Sequence, residues 1–263
     1  MRYFVFCFLF FASLGAAELR VVSLAPALTE LICHLGKGAL LVGRSDVCNY
    51  PAAVKKLPVA GRFAMPFVEK VLSLKPHIIV TCDFVNPGVR VNFDRAGIRV
   101  LQLPCRNLEE YRKCVAVLGE TLQCGSAAAR EIARIDAITK RKINKKGIRV
   151  LWVIWDTPLM TPGKLSHLHT LLELAGAENA TGSFQREYLR PSFDLLLKNE
   201  PHFIIWSASG AGWKQRRVWQ KFSAVRKGCV MANFDQDKFL RPGPRMFEAV
   251  DELKKVFEKW KRP

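Results

Sequence analysis

An α/β protein of two Rossmann-like lobes, joined by a single long interdomain helix with a ligand cleft between them, is predicted by three features of the sequence. The stretch "PFVEKVLSLKPHIIV" (66–80) returns 125 positions later as "PSFDLLLKNEPHFII" (191–205), so one helix-to-strand unit occurs twice. Short unbroken apolar runs, of the kind found in strands covered on both faces, alternate with helical periodicity, which implies mostly parallel sheets. Between the halves, "GSAAAREIARIDAITKRKINKKG" reads as one helix rather than a flexible hinge.

The elements follow in chain order. Residues 1–17, "MRYFVFCFLFFASLGAA", carry one arginine, an apolar run too short to span a bilayer and a small-residue end, the pattern of a signal peptide cleaved after Ala17. Cys7 lies inside the apolar run, so no lipid-bearing cysteine would begin the mature chain, and the product is expected to be exported and soluble. The N-terminal lobe (18–121) opens with the strand "LRVVSL" (19–24). Pro26 then starts a helix whose Leu28, Leu31, Ile32 and Leu35 keep helical spacing until Gly36 ends it. In the repeat, Pro66 and Pro191 mark helix starts. Val68, Val71 and Leu72, like Phe193, Leu196 and Leu197, form one apolar face, and "HIIV" and "HFII" are the strands that follow. The connecting helix (122–146) takes Ser126 as N-cap and Ile132, Ile135, Ile138 and Ile143 as its stripe. The C-terminal lobe (147–263) begins with the strand "IRVLWVIW" (148–155). Its helix "LSHLHTLLELAG" is stopped by Gly176 as Gly36 stops its counterpart, and a last helix from Pro244 buries Phe247, Val250, Leu253, Val256, Phe257 and Trp260.

Glu69 and Asp194 occupy the same place in the two copies, about 100° round the helix from the first apolar position, and both should be exposed. Matched carboxylates on a basic protein fit a two-fold partner that offers an arginine to each. They equally fit two acids in helix first turns, where the dipole favours them.

Composition bounds the rest. The 263 residues are 49% apolar, ample for a packed core in two domains. The formal charge of +18, or +17 once Arg2 leaves, is spread along the chain apart from "KRKINKK" (140–146) and the C-terminal "KKVFEKWKR". That reads as a solvated basic surface; no motif supports nucleic-acid binding. Seven cysteines remain after Ala17, an odd count in an exported protein, and no pair has the CxxC spacing of a zinc or redox site. His77 and His202 share a repeat position at strand starts, and His167 and His169, two apart on a helix, do not face one ligand. No metal site is expected. Nor is an enzyme: there is no nucleophile elbow and no pair of active-site carboxylates.

The segments "RVVSLAPALTELICHLG", "LVGRSDVCNYP", "VAGRF", "VEKVLSLKPHIIV", "GIRVLQLP", "ELAGAENA" and "FLRPGPR" occur in an order that resembles the helical-backbone periplasmic substrate-binding proteins of ABC importers, which carry cobalamin, ferric siderophores or haem. The likeness covers essentially the whole mature chain and is greatest to the cobalamin-binding branch. The resemblance implies a periplasmic, monomeric protein without a cofactor of its own, which captures a metal-containing small molecule and docks on a permease dimer served by ATPase subunits. Glu69 and Asp194 match the acidic pair that docks on permease arginines in that family, the second as Asp where Glu is usual.

The ligand, on the same resemblance, belongs to loops at strand ends. Their aromatic members Phe63, Phe84, Trp155, Tyr188 and Phe239 suit a large planar macrocycle, or else ordinary core. Arg44, Arg62, Arg190 and Arg241 suit carboxylate or phosphate groups, which keeps ferric siderophores and haem beside corrinoids. Val47 and Cys82 stand where the cobalamin branch can place aromatics. Cys48, Cys82 and Cys105 are expected near the first lobe's strand ends, with a disulfide among them ahead of a thiol on the ligand metal. Two further readings compete: an exported enzyme on this scaffold, and a basic protein bound to an anionic polymer or membrane surface.

Overall fold

The computed structural model describes residues 19–84, 86–141, 143 and 147–259. The segment expected to be a signal peptide, most of the basic run before Gly147 and, at the chain end, Trp260 lie outside the described residues. In the first lobe, β1 (Val21–Ser23) leads to α1 (Pro26–His34), β2 (Leu41–Ser45), β3 (Val59–Arg62) and β4 (Met65–Pro66). Then come α2 (Val68–Ser73), β5 (Ile78–Thr81), α3 (Arg90–Arg95), β6 (Arg99–Gln102) and α4 (Leu108–Thr121). The sheet order is β4-β3-β2-β1-β5-β6, parallel except for the β3–β4 hairpin.

The connecting helix α5 spans Gly125–Thr139. It is shorter than the sequence spacing implies: it starts one residue before Ser126, with Cys124 at the N-cap, and ends ahead of the basic run, where like charges at helical spacing oppose one another. The second lobe contains β7 (Arg149–Val153), β8 (Trp155–Asp156), β9 (Leu159–Pro162), α6 (His167–Leu174), β10 (Glu178–Asn179), β11 (Tyr188–Leu189) and α7 (Phe193–Lys198). It continues with β12 (Phe203–Trp206), α8 (Gly212–Gln215), α9 (Ser223–Arg226), β13 (Val230–Met231), α10 (Gln236–Leu240) and α11 (Met246–Lys259). A parallel sheet β10-β7-β12-β13 stands beside an antiparallel one, β11-β9-β8. Trp155 therefore belongs to a separate hairpin, and the first strand of this lobe stops at Val153.

The internal repeat is visible in the backbone. The Arg20 amide donates to His77 Nδ1 at 2.9 Å, and the Arg149 amide donates to His202 Nδ1 at 3.1 Å. The two histidines also return backbone bonds to the Arg20 and Arg149 carbonyls. Gly36 and Gly176 end α1 and α6 at φ of 78° and 84°, the left-handed region that favours glycine. Pro66 and Pro191 are not first-turn residues; the helices begin at Val68 and Phe193 after caps at Phe67 and Ser192. Leu72 turns outward, so α2 buries Val71 with Val68 half-buried beside it. Glu69 and Asp194 are the second residues of α2 and α7, and both are exposed.

One apolar cluster runs through both lobes. It joins Leu28 and Leu31 of α1, Leu118 of α4 and Ile135 of α5 to Trp152, Leu168 of α6 and Leu253 of α11. Separate clusters cover the other face of each sheet. Two aromatics expected on the cleft lie inside these cores instead. Phe239 is 0% exposed, against Trp152 and Phe234, and Phe84 is 6% exposed, against Phe93. Phe239, one position from the end of α10, and Phe84, three past the end of β5, both turn into the core rather than the cleft. Among the described residues, no helix is long and apolar enough to cross a membrane.

Buried ion pairs reinforce the seam. Glu30 of α1 accepts from Arg245 at 2.8 Å on each oxygen and from Arg241 at 3.0 Å. Glu131 of α5 receives Tyr111 Oη at 2.8 Å and both guanidinium arms of Arg134, with His34 Nε2 at 2.9 Å. Burial pushes the Glu131 carboxyl up, but the hydrogen bonds from His34, Arg134 and Tyr111 outweigh it and hold the group at about 2. Because this lies below the unfolded value of about 4.3, the stabilisation is complete above that value and disappears as pH falls towards 2. Its size is about 3 kcal/mol. Denaturant unfolding between about pH 6 and about pH 3 is expected to show the loss, and Glu131→Gln to flatten it. Phe239→Ala is expected to cost about 3–5 kcal/mol in the same assay, as a core truncation does.

Candidate ligand cleft

The parallel sheet of the first lobe sends four strand ends to one place. Beyond β1 lie Pro26 and Ala27, beyond β3 Phe63, beyond β5 Cys82 and Asp83, and beyond β6 Pro104, Cys105 and Arg106, with Gln102 closing that strand. The facing wall is Leu240, Arg241 and Pro242 from the second lobe. Together they enclose a cavity of about 430 Å³, within the usual size of small-molecule sites and at the strand ends where open α/β sheets bind ligands.

Phe63 is held at the tip of the β3–β4 hairpin. A Cβ on Gly61 would stand 2.5 Å from the Met65 carbonyl oxygen and 2.7 Å from Pro66 Cα, so only glycine lets the hairpin close this tightly. The next turn residue, Ala64, takes φ 54°. The result leaves Phe63 51% exposed, an apolar ring turned towards the cavity rather than packed in the core.

The charges of the cavity wall are largely committed. Arg106 forks onto Glu110, whose carboxyl also caps the start of α4 by accepting the Arg106 amide at 2.8 Å. That guanidinium holds the Glu110 carboxyl below the usual carboxylate range. Arg241 pairs with Glu30 at 3.0 Å and Asp237 at 2.8 Å, and donates to Asn49 and the Val47 carbonyl. Asp83 has no ion pair among the described residues; its Oδ1 accepts from the Phe84 amide and from Gln102 Nε2, each at 2.7 Å.

All seven cysteines after Ala17 carry free thiols, which corrects the expected disulfide. Cys48 is buried among the Thr29 and Ser45 hydroxyls, each at 3.0 Å, outside the cavity's lining, and Cys105 donates across the seam to the Pro242 carbonyl at 3.0 Å. Cys48 and Cys105 face different partners, so proximity to the strand ends does not bring them together as a bonded pair. Burial pushes the Cys82 thiol up to about 12. The Cys105 thiol is raised first by its hydrogen bond with Cys114 and then by burial. Both stay protonated at neutral pH and are poor metal ligands in that form. Among the described residues, no cluster of three or more metal-ligating side chains occurs.

Of the residues singled out from sequence, Phe63, Cys82, Cys105 and Arg241 meet around the cavity. Trp155 is 53% exposed on the β8–β9 hairpin, its Nε1 donating to the Thr157 carbonyl, and Tyr188 is half-buried in β11. Arg62 and Arg190 are exposed and outside the cavity's lining, and Arg44 is spent on the Ser45, Asp46 and Lys55 carbonyls. Sequence reasoning misses Asp83, Gln102 and Arg106. The signal for them is position, each at or just after the end of a buried strand, rather than residue type.

The family model described as "Periplasmic binding protein" matches residues 21–233. The vitamin B12-binding protein of Vibrio vulnificus is 25% identical over 254 residues, covering 93% of this chain and 92% of the relative. Among solved structures, the periplasmic vitamin B12-binding protein of Vibrio cholerae superposes with a TM-score of 0.72 at 24% identity, covering 91% of this chain and 96% of that one. A periplasmic haem-binding protein from Pseudomonas aeruginosa does so with a TM-score of 0.74 at 26% identity, covering 93% and 94%. The chain belongs to the periplasmic binding protein family, as a substrate-binding protein of an ABC importer and not an enzyme.

Proposed function

We propose that the protein captures cobalamin or a related corrinoid in the periplasm and delivers it to the permease. The observation that carries this reading is the committed state of the two cavity arginines. With Arg106 bound to Glu110 and Arg241 to Glu30 and Asp237, the described lining offers no spare cation to an anionic chelate. Ferric siderophores that are polyanionic require such a cation; a corrinoid, rimmed with neutral carboxamides, does not. The apolar surfaces of Pro26, Pro104 and Leu240 and the exposed ring of Phe63 suit a broad macrocycle.

Haem is the second reading, favoured by the likeness to the Pseudomonas aeruginosa protein. Against it, the described cavity lining contains no histidine, tyrosine or methionine to take an axial position, and its thiols are held protonated. The corrinoid reading keeps the metal within the ligand's own coordination sphere.

Delivery uses Glu69 and Asp194. Their equivalent, exposed positions in the first turns of α2 and α7 supply one carboxylate per lobe for permease arginines, and the permease dimer works with ATPase subunits. On this reading the mature protein begins at Glu18 and acts as a monomer.

Native mass spectrometry of residues 18–263 with cobalamin, cobinamide, haem and ferric siderophores is expected to give a one-to-one corrinoid complex; selective haem or siderophore binding would overturn the reading. Cys82→Ser is expected to leave the visible spectrum of the bound corrinoid unchanged. Glu69→Ala combined with Asp194→Ala is expected to abolish stimulation of the permease's ATPase while changing ligand Kd by less than about twofold, since exposed charges act mainly on docking.

A further inference from the structure

We infer that Asp83, held in place by Gln102, is the residue that sets the charge preference of the cleft, admitting ligands that present amide N–H donors and rejecting those that present carboxylates. The inference rests on the corrinoid reading and deepens it. The hydrogen bonds found for the Asp83 side chain both end on Oδ1, from the Phe84 amide and from Gln102 Nε2. Among the described residues no hydrogen bond ends on Oδ2, the oxygen left to meet a ligand. Gln102 donates one N–H of its amide to Asp83, which fixes the carboxylate and leaves Oε1 and the second N–H of the amide for other partners. Asp83 thus brings an acceptor-only, charged group to the cavity lining, a match for a carboxamide NH₂ and a mismatch for a carboxylate, which can only accept.

The electrostatics act in the same direction. A protein of formal charge +18 presents, along the described lining of this cavity, two neutralised arginines and one carboxylate without an ion pair. Asp83 is exposed in the cleft, so a carboxylate brought beside it would meet a like charge whose repulsion grows as the ligand itself displaces water from the site. The anchoring is also rigid. The Asp83 carbonyl accepts from Thr81 Oγ1 at 2.6 Å, and Thr81 is the buried last residue of β5. Sequence position alone explains none of this, since the turn at 82–84 needs only one acceptor for the Phe84 amide.

Asp83→Asn separates recognition from architecture. The Asn oxygen can still accept from the Phe84 amide and Gln102, while the charge is lost and a donor appears at the ligand-facing position. Dissociation constants of the full mature protein and of this variant are measured for cyanocobalamin and for a corrinoid whose peripheral amides have been hydrolysed to carboxylates. The wild-type protein is expected to favour the amide form, and Asp83→Asn to reduce that preference by about tenfold, the effect of one charge-assisted contact. Gln102→Leu, which frees Asp83 to rotate, is expected to erode the preference in the same direction. If cyanocobalamin binds the wild type and the ratio is unmoved in Asp83→Asn, the inference is overturned while the corrinoid reading stands. If neither corrinoid binds the wild type, the reading falls and the inference with it. A purely structural Asp83 would lower the melting temperature without changing the ratio, and that result also overturns the inference.

Discussion

The Glu30 carboxylate is the constraint on which the arrangement of the lobes depends. It is buried on α1, and the guanidinium groups of Arg241 and Arg245 converge on it from the segment between α10 and α11. A carboxylate removed from water is tolerable only when its charge and hydrogen bonds are satisfied, so its position fixes the position of both arginines. Arg241 in turn stands between Leu240 and Pro242, while Glu30 lies one turn along from Pro26 and Ala27. The same ion triad therefore sets the distance between the two walls of the cavity. Asn49 with Asp237, Arg134 with the Pro244 carbonyl, and Arg245 over the Tyr50 ring at 4.0 Å repeat the linkage at neighbouring points.

Surface and cavity obey different rules on this molecule. Lysines and arginines cover the outside, where water and salt screen them and single ion pairs contribute little. In the cleft, Arg241 is largely buried and has the buried acid Glu30 as its partner, because a buried guanidinium without one would be costly, while the exposed Arg106 forks onto Glu110 one turn along. The overall charge is consequently a poor guide to what the cleft accepts.

Much of the fold is legible in the sequence. The repeat at 66–80 and 191–205 carries its own periodicity, its own proline punctuation and a histidine in the same role, so both lobes and the positions of Glu69 and Asp194 can be read directly. The connecting helix is legible in kind but not in length, because isoleucine spacing continues past the point where the charges stop the helix at Thr139. The cleft is legible as loops and less so as residues. Aromatic type selects Phe63, which a tight hairpin leaves outside, and also Phe84 and Phe239, which the cores take up. Nothing local distinguishes these three rings; the difference lies in Gly61 and in partners such as Trp152 that are distant in sequence. Asp83 and Gln102 escape notice because a polar residue at a strand end is also what any turn requires.

The apolar cluster that passes through α1, α5, α6 and α11 makes the junction of the lobes a core rather than a hinge. Opening the molecule widely would expose that cluster to water, so empty and occupied forms must be close in shape. A partner can favour one of two states only through contacts that differ between them. With little difference in lobe geometry to read, a permease that distinguishes the loaded receptor has to sense the cleft mouth itself: the ligand's own rim, or the Phe63 hairpin lying between the cavity and the helix that bears Glu69. Selective recognition of cargo then becomes a property of a small area of loop, open to change by substitutions that leave the scaffold untouched.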